Sequence, residues 1–185
     1  MNKMIFGFIG QMASGKGTAV EYLKTKYSAS TYRFSSILKD ILERLYLDLN
    51  RENYHTISQI IRQNFGEDIM SSVMVSDIEK DNNNLIAIDG VRRPDDVVKL
   101  KKMPGFMLVY IFSDIEKRYE RITKRTEKAD DQTKTLEEFK KDHEGEPESK
   151  IEEIAREAKE TIDNNGTVEE LHMQLDVLVQ KYIQN

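Results

Sequence analysis

Gly10-Gln-Met-Ala-Ser-Gly-Lys-Gly-Thr18 places three glycines in nine residues, directly after the apolar run Met4–Ile9. Glycine at that density suits neither a helix nor a strand, because each one adds backbone entropy that a regular element must give up. A strand, a glycine-rich turn and a helix opening at Lys16 is instead the setting in which backbone N–H groups wrap a phosphate. Missing side chains let the loop curl inward, and the helix N-terminus adds unsatisfied donors and a partial positive charge. In that geometry Gly10, Ala13, Ser14, Gly15, Gly17 and Thr18 supply the cradle of a nucleotide, and Lys16 reaches its β- and γ-phosphates. With glycine at about 7% and lysine and threonine at roughly 6% each, Gly-x4-Gly-Lys-Gly-Thr arises by chance about once in a million positions. The motif departs from the usual pattern at Gly17, which stands where a Ser or Thr hydroxyl is customary, with Thr18 one place later.

Length and charge bound what surrounds this loop. A chain of 185 residues holds one domain with a sizeable core, here expected over residues 1–185, and a small insert. It contains no cysteine, so disulfides, cysteine zinc sites and thiol nucleophiles are excluded, and a reducing cytoplasm is the expected setting. No apolar run approaches the roughly 20 residues that cross a bilayer, so no membrane partner is expected. The short apolar run near the start, with no small-residue cleavage site after it, reads as a first strand and not a signal peptide. A formal charge of −5, from 28 basic and 33 acidic residues, argues against nucleic acid as a partner. Small-molecule nucleotides remain, and an acidic chain binds them if its Arg and Lys converge on one cleft. A monomer or a homodimer is expected.

Strand-like runs alternate with helical patterns along the chain, the signature of a parallel sheet built from βαβ units. Strands are expected over the first apolar run, over 30–34, over Leu85–Asp89 and Phe106–Phe112, and over a short last stretch at 160–163. A helix is expected from near Gly15 to Tyr27. Another follows the second strand, with Ile37, Ile41, Leu45 and Leu49 as its apolar stripe and Ser35 or Ser36 as its N-cap. Two more fill Asn53–Asp81, broken near Gly66, and the last carries Val168, Leu171, Leu175, Leu178 and Tyr182 on one face. Between 126 and 160 the chain is strongly charged and nearly lacks large apolar residues. That stretch suits a solvated helical face, a disordered insert or a lid.

Two basic stretches bear on the cleft. Ligands of open parallel sheets bind at the carboxyl ends of the strands, so Asp89 is expected beside the glycine loop, where a carboxylate suits orienting Mg²⁺ or its waters. Arg92 and Arg93 follow within a few residues. Adjacent arginines point in different directions, so one suits a phosphate fork, with Arg92 favoured, and surface pairing with Asp95 or Asp96 is the alternative. Further on, Arg118, Arg121 and Arg125 fall at i, i+3 and i+7, one face of a helix that leads into the charged stretch. The three histidines lack metal-ligand spacing.

The Gly-Lys-Gly-Thr loop resembles that of adenylate kinase and related nucleoside monophosphate kinases, and the run Glu-Arg-Ile-Thr-Lys-Arg over 120–125 resembles the helix before their lid. The resemblance implies a three-layer α/β/α P-loop fold with about five parallel strands and a short helical lid, and ATP with Mg²⁺ as cofactors. It places Thr18 at the α-phosphate side of ATP, Arg121 against the adenine and Arg125 as a phosphate clamp. It puts Ser35 at the acceptor-site wall, although an N-cap role fits that residue equally. The stretch Ile60–Ile69 is similar to one in deoxynucleoside monophosphate and dephospho-coenzyme A kinases, which carries Arg62 over as an acceptor-phosphate contact. The run 161–171 resembles the end of dephospho-coenzyme A kinases and implies that Asn165, with Asn164 and Gly166, lies beside the adenine. A plain turn with Thr167 as N-cap explains the same residues.

These readings converge on phosphoryl transfer from ATP to a small phosphorylated acceptor, most simply a nucleoside or deoxynucleoside monophosphate, with Lys16, Asp89, Arg92 and Arg125 as the catalytic set. Dephospho-coenzyme A kinase is the near alternative, favoured by the resemblance over 163–167; its acceptor hydroxyl would call for a carboxylate base, such as Asp40 or Asp89. A nucleotide-dependent switch with negligible transfer is the alternative from another class.

Overall fold

Five parallel strands form one sheet in the computed structural model, which describes residues 3–124, 135–143 and 146–183. They are β1 (Met4–Ile9), β2 (Ser30–Arg33), β3 (Leu85–Asp89), β4 (Phe106–Phe112) and β5 (Glu160–Asp163), and they lie in the order β2-β3-β1-β4-β5. Central β1 pairs Gly7 with Ile88 on one side and with Leu108 on the other. Its side chains alternate between two apolar clusters, as the period of a strand demands. Phe6 and Phe8 join one cluster, Ile5 and Ile9 the other, and all four are wholly buried. A strand covered on both faces reads as a continuous apolar run, which is why β1, β3 and β4 were legible.

The first cluster is closed by α1 (Lys16–Tyr27) and α9 (Val168–Ile183) through Ala19, Val20, Leu23, Leu171, Leu175 and Leu178. On the opposite face lie α2 (Phe34–Arg44), α4 (Ile69–Lys80), α5 (Pro94–Val97) and α8 (Glu146–Ala155), with α3 (Arg51–Phe65) packed outside α2 and α4. This is the expected three-layer α/β/α arrangement. The connection after β1 leads toward β2 and that after β4 toward β5, so a crevice opens between their ends, where open parallel sheets hold ligands. Among the described residues no helix is long and apolar enough to cross a membrane.

Two elements differ from expectation. The stripe of α2 is Phe34, Leu38 and Leu42; Ile37 and Ile41 are only half-buried, and Leu45 and Leu49 lie exposed beyond the helix end. β2 ends at Arg33 and turns directly into the helix, so Phe34 enters the core and its i+4 and i+8 neighbours follow it. Arg33 is therefore the N-cap residue, and Ser35 and Ser36 sit exposed in the first turn, not at the cap.

The charged stretch is the second case. α7 (Leu136–His143) buries Phe139 against Ala13 and Ile122, and α8 buries Ile151 and Ile154 against the sheet. Three apolar side chains spaced among many charges fix these helices, and composition averaged over the stretch hides them. α9 starts at a capping box: the Glu170 amide donates to Thr167 Oγ1 and the Thr167 amide to Glu170 Oε2.

Candidate functional site

After Ile9 the chain turns through six residues before α1, and close approach decides where glycine is needed. Gly15 has φ +104°, and a Cβ there would lie 2.2 Å from Asn164 Nδ2. A Cβ on Gly10 would lie 2.4 Å from the Ile111 carbonyl and 2.5 Å from Ser14 Oγ. Ala13 also adopts a left-handed φ of +61°, which an L side chain tolerates only when its surroundings hold it. Its methyl packs in the cluster of Phe139 and Ile122. Gly17 is different: the nearest atom to its Cβ position is Arg33 Nη2 at 4.0 Å. Lys16 Nζ donates to the carbonyls of Gly10 (2.6 Å) and Gln11 (2.9 Å), drawing the ammonium across the loop. Ser14 is buried, and its Oγ has no hydrogen-bond partner among the described residues. Thr18 is exposed on the first turn of α1.

The turn after β5 is locked to this loop. Buried Asn164 donates from Nδ2 to the Ser14 carbonyl (2.7 Å) and from its amide to the Phe112 carbonyl (2.8 Å). From α6 (Ile115–Thr123), Arg121 donates to the Asn164 carbonyl (2.7 Å) and to Ser113 Oγ (3.1 Å). Asn165 Oδ1 accepts from the Asp114 amide (2.7 Å). Arg121 and Asn165, chosen separately from the sequence, are thus brought together, beside a 460 Å³ hollow lined by Asp163, Asn165, Gly166, Glu170, Met173 and Gln174. Burial pulls the Arg121 guanidinium below its ordinary value, yet an arginine stays charged at any physiological pH. Arg118 is buried: Nε donates to the Ser113 carbonyl (3.1 Å), Nη1 to Met12 (3.4 Å), and the guanidinium lies 5.9 Å from the Phe139 ring centre. It joins the loop, α6 and α7, a role that helical spacing alone did not reveal. Arg125 lies outside the described residues.

The loop after β3 is organised by Asp96. Its Oδ2 accepts from the amides of Arg92 (3.1 Å) and Arg93 (3.0 Å), and its Oδ1 from Arg62 Nη2 (2.7 Å). Asp96 therefore meets the two arginines through their backbone amides, not by the surface ion pairing considered for their side chains, and Arg92 stays exposed. Arg93 lies 3.8 Å from Glu67. Arg62 is only 6% exposed and also donates to the Glu67 carbonyl. Together with His55, Gln59, Gln63, Glu67 and Arg93 it lines a pocket of about 240 Å³. Asp89 ends β3 nearly buried, and its Oδ2 lies 2.9 Å from Arg33 Nη2, a partner that sequence inspection missed. Register was the absent signal: Arg33 and Asp89 are opposite each other on β2 and β3.

Among the described residues no three His, Cys, Asp or Glu side chains gather as a metal cage. One carboxylate, Asp89, fits Mg²⁺ held chiefly by phosphate oxygens and water, since that ion keeps several waters and takes only one or two protein ligands.

A family model described as AAA domain matches residues 9–140. The chain belongs to this AAA-domain family. The match begins at the last residue of β1 and takes in the whole glycine loop, Asp89 and the arginine pair. A UPF0200/UPF0201 protein from Archaeoglobus fulgidus is 25% identical over 98% of the chain, which spans only 56% of that relative's length. A UPF0200 protein from Sulfurisphaera tokodaii is 26% identical, with 97% of each chain covered. The solved structure of a shikimate kinase from Bacteroides thetaiotaomicron superposes with a TM-score of 0.65 at 13% identity, covering 96% of this chain and 98% of that one. The architecture is that of a P-loop kinase-like nucleotide-binding domain.

Proposed function

We propose that the protein is an ATP- and Mg²⁺-dependent phosphotransferase whose acceptor is a small phosphorylated compound, a nucleoside or deoxynucleoside monophosphate. The observation that carries this reading is the pairing of two basic features at the carboxyl ends of β1 and β3, neighbours in the sheet. A glycine-bounded loop with Lys16 follows β1, and a pocket lined by Arg62 and Arg93 opens beside the loop that starts at Asp89. Phosphoryl transfer is mostly positioning and charge neutralisation, and these groups supply both. The resemblance of Gly-Lys-Gly-Thr to adenylate kinase loops supports the kinase class. Arg121 and the hollow at Asn165 support an adenine site next to the loop.

In this reading the loop amides of Gly10 to Thr18 and Lys16 hold the donor phosphates. Asp89 would hold Mg²⁺ or its waters, and the ion would supply charge neutralisation at the phosphates when bound. Arg93 and exposed Arg92 face the acceptor phosphate, with Ser35 on the neighbouring turn of α2, and Arg125 is assigned to the junction of donor and acceptor. Arg62, anchored by Asp96, presents the pocket wall. α7, whose Phe139 packs on Ala13 of the loop, covers the loop and excludes water, so that transfer outruns hydrolysis.

The test is a thermal-shift panel with Mg²⁺ and, in turn, ATP, every ribo- and deoxyribonucleoside monophosphate and dephospho-coenzyme A, followed by a transfer assay on whatever shifts. A ligand that binds only the native state raises the melting temperature, so donor and acceptor both register. ATP plus one monophosphate is the expected result. A shift with dephospho-coenzyme A alone moves the assignment to that acceptor. ATP binding with no acceptor and no transfer refutes the kinase and favours a switch.

A further inference from the structure

Arg33 reaches both halves of the proposed site. Its Nη2 lies 2.9 Å from Asp89 Oδ2 and 4.0 Å from the Cβ position of Gly17, in the first turn of α1. Its Cγ passes 3.6 Å from the Cβ position of Gly90, whose φ of +86° keeps that place to glycine. One guanidinium therefore faces the carboxylate at the end of β3 and the N-terminus of the phosphate-loop helix together. The point it approaches on α1 is Gly17, which replaces the customary hydroxyl.

Exposure separates Arg33 from Arg62, and freedom from the loop carbonyls separates it from Lys16. The Arg33 side chain is 55% exposed while that of Asp89 is only 12% exposed. Arg62 is buried with Asp96, and Lys16 is held by two loop carbonyls. Arg33 can change partners with little loss of burial, and an ion pair with one largely exposed member is weak.

We propose that Arg33 is the resident counter-cation of Asp89, giving up the carboxylate to the divalent cation that accompanies the nucleotide and turning to the phosphates at the start of α1. This assignment rests on the proposed nucleotide and metal site. Arg33 is then a positioning residue that couples metal binding to phosphate binding.

The test titrates Mn²⁺, followed by electron paramagnetic resonance, into the full chain saturated with adenylyl imidodiphosphate, and titrates the same nucleotide calorimetrically in EDTA. Arg33→Gln is expected to leave metal-free nucleotide binding near wild type, because without the cation Asp89 keeps the guanidinium. It is expected to weaken Mn²⁺ binding to the nucleotide-loaded chain about two- to fivefold, since the lost phosphate contact, roughly tenfold, outweighs the gain from the freed carboxylate, about two- to fivefold. Asp89→Asn also weakens Mn²⁺ binding, and adding Arg33→Gln to it brings no further loss. Arg33→Lys, which keeps the charge, stays near wild type for Mn²⁺. Unchanged Mn²⁺ affinity in Arg33→Gln overturns the assignment, as does the same change in Arg33→Lys. A wild-type chain that binds no nucleotide with or without Mn²⁺ instead defeats the functional reading beneath it.

Discussion

Gly15 and Gly17 stand two residues apart and answer to different constraints. At Gly15 a methyl group would sit 2.2 Å from Asn164 Nδ2 on a backbone at φ +104°, so substitution combines a clash with left-handed strain. Such strain costs about 1–3 kcal/mol, and parting Asn164 from the Ser14 carbonyl removes a buried hydrogen bond as well. Gly15→Ala should therefore lower the melting temperature by roughly 3–18 °C, at about 2–4 °C per kcal/mol for a chain of this size, and abolish the ATP-induced shift. At Gly17 the nearest neighbour is a flexible guanidinium at 4.0 Å, and alanine is the better helix former. Gly17→Ala should leave the melting temperature unchanged or raise it slightly. Scanning calorimetry of the two variants side by side checks both statements, and equal losses at both positions would refute this account of the loop.

The pairing of α3 with α5 shows what one buried ion pair does for the loop that follows β3. Asp96 holds the amides of Arg92 and Arg93, and it is neutralised by Arg62, 34 residues earlier in the chain. Removing Arg62 leaves a carboxylate that is 3% exposed without its counter-charge. Arg62→Ala should cost roughly 3–5 kcal/mol in urea unfolding, the usual penalty for breaking a buried pair from one side. A loss below about 1 kcal/mol would mean that Asp96 is not buried in solution. Arg62 also marks the limit of what sequence alone reveals. Periodicity and glycine placement report on near neighbours, so the five strands, the glycine loop and the break at Gly66 were legible. Which distant residue meets which depends on strand register and helix packing. Arg33 with Asp89, Arg62 with Asp96 and Asn164 with the loop therefore emerged only in three dimensions. Ile151 and Ile154 of α8 were hidden for a related reason, since two core contacts in a charged helix leave the local composition unchanged.

At the scale of the whole molecule, α1 carries the phosphate loop at one end and is clamped to the last helix at the other. Asp176 on α9 accepts from Tyr22 (2.8 Å), Tyr27 (2.7 Å) and Lys26 (2.8 Å), all on α1, and His172 stacks on Tyr22 with ring centres 3.7 Å apart. Burial alone would raise the Asp176 carboxyl, but the bonds from Lys26, Tyr27 and Tyr22 together outweigh it and hold the group below the usual carboxylate range. Glu160 on β5 is lowered in the same way by Lys181 and Tyr182. A carboxylate whose folded value is depressed stabilises the fold above its unfolded value, near 4, and that contribution disappears as pH falls through the folded value. The melting temperature should therefore decline from about pH 5 downward. Asp176→Asn should lose about 1 kcal/mol at pH 7, seen as roughly 2–4 °C, because an amide accepts from the tyrosines but pairs poorly with Lys26. Its deficit should shrink as pH falls below the unfolded value, near 4, because the unfolded carboxylate then takes up a proton that the folded one resists. Melting curves of both proteins between pH 3 and pH 7 decide the matter: parallel curves would show that the clamp stabilises by packing alone, and converging curves that its charge links the phosphate-loop helix to the C-terminal helix.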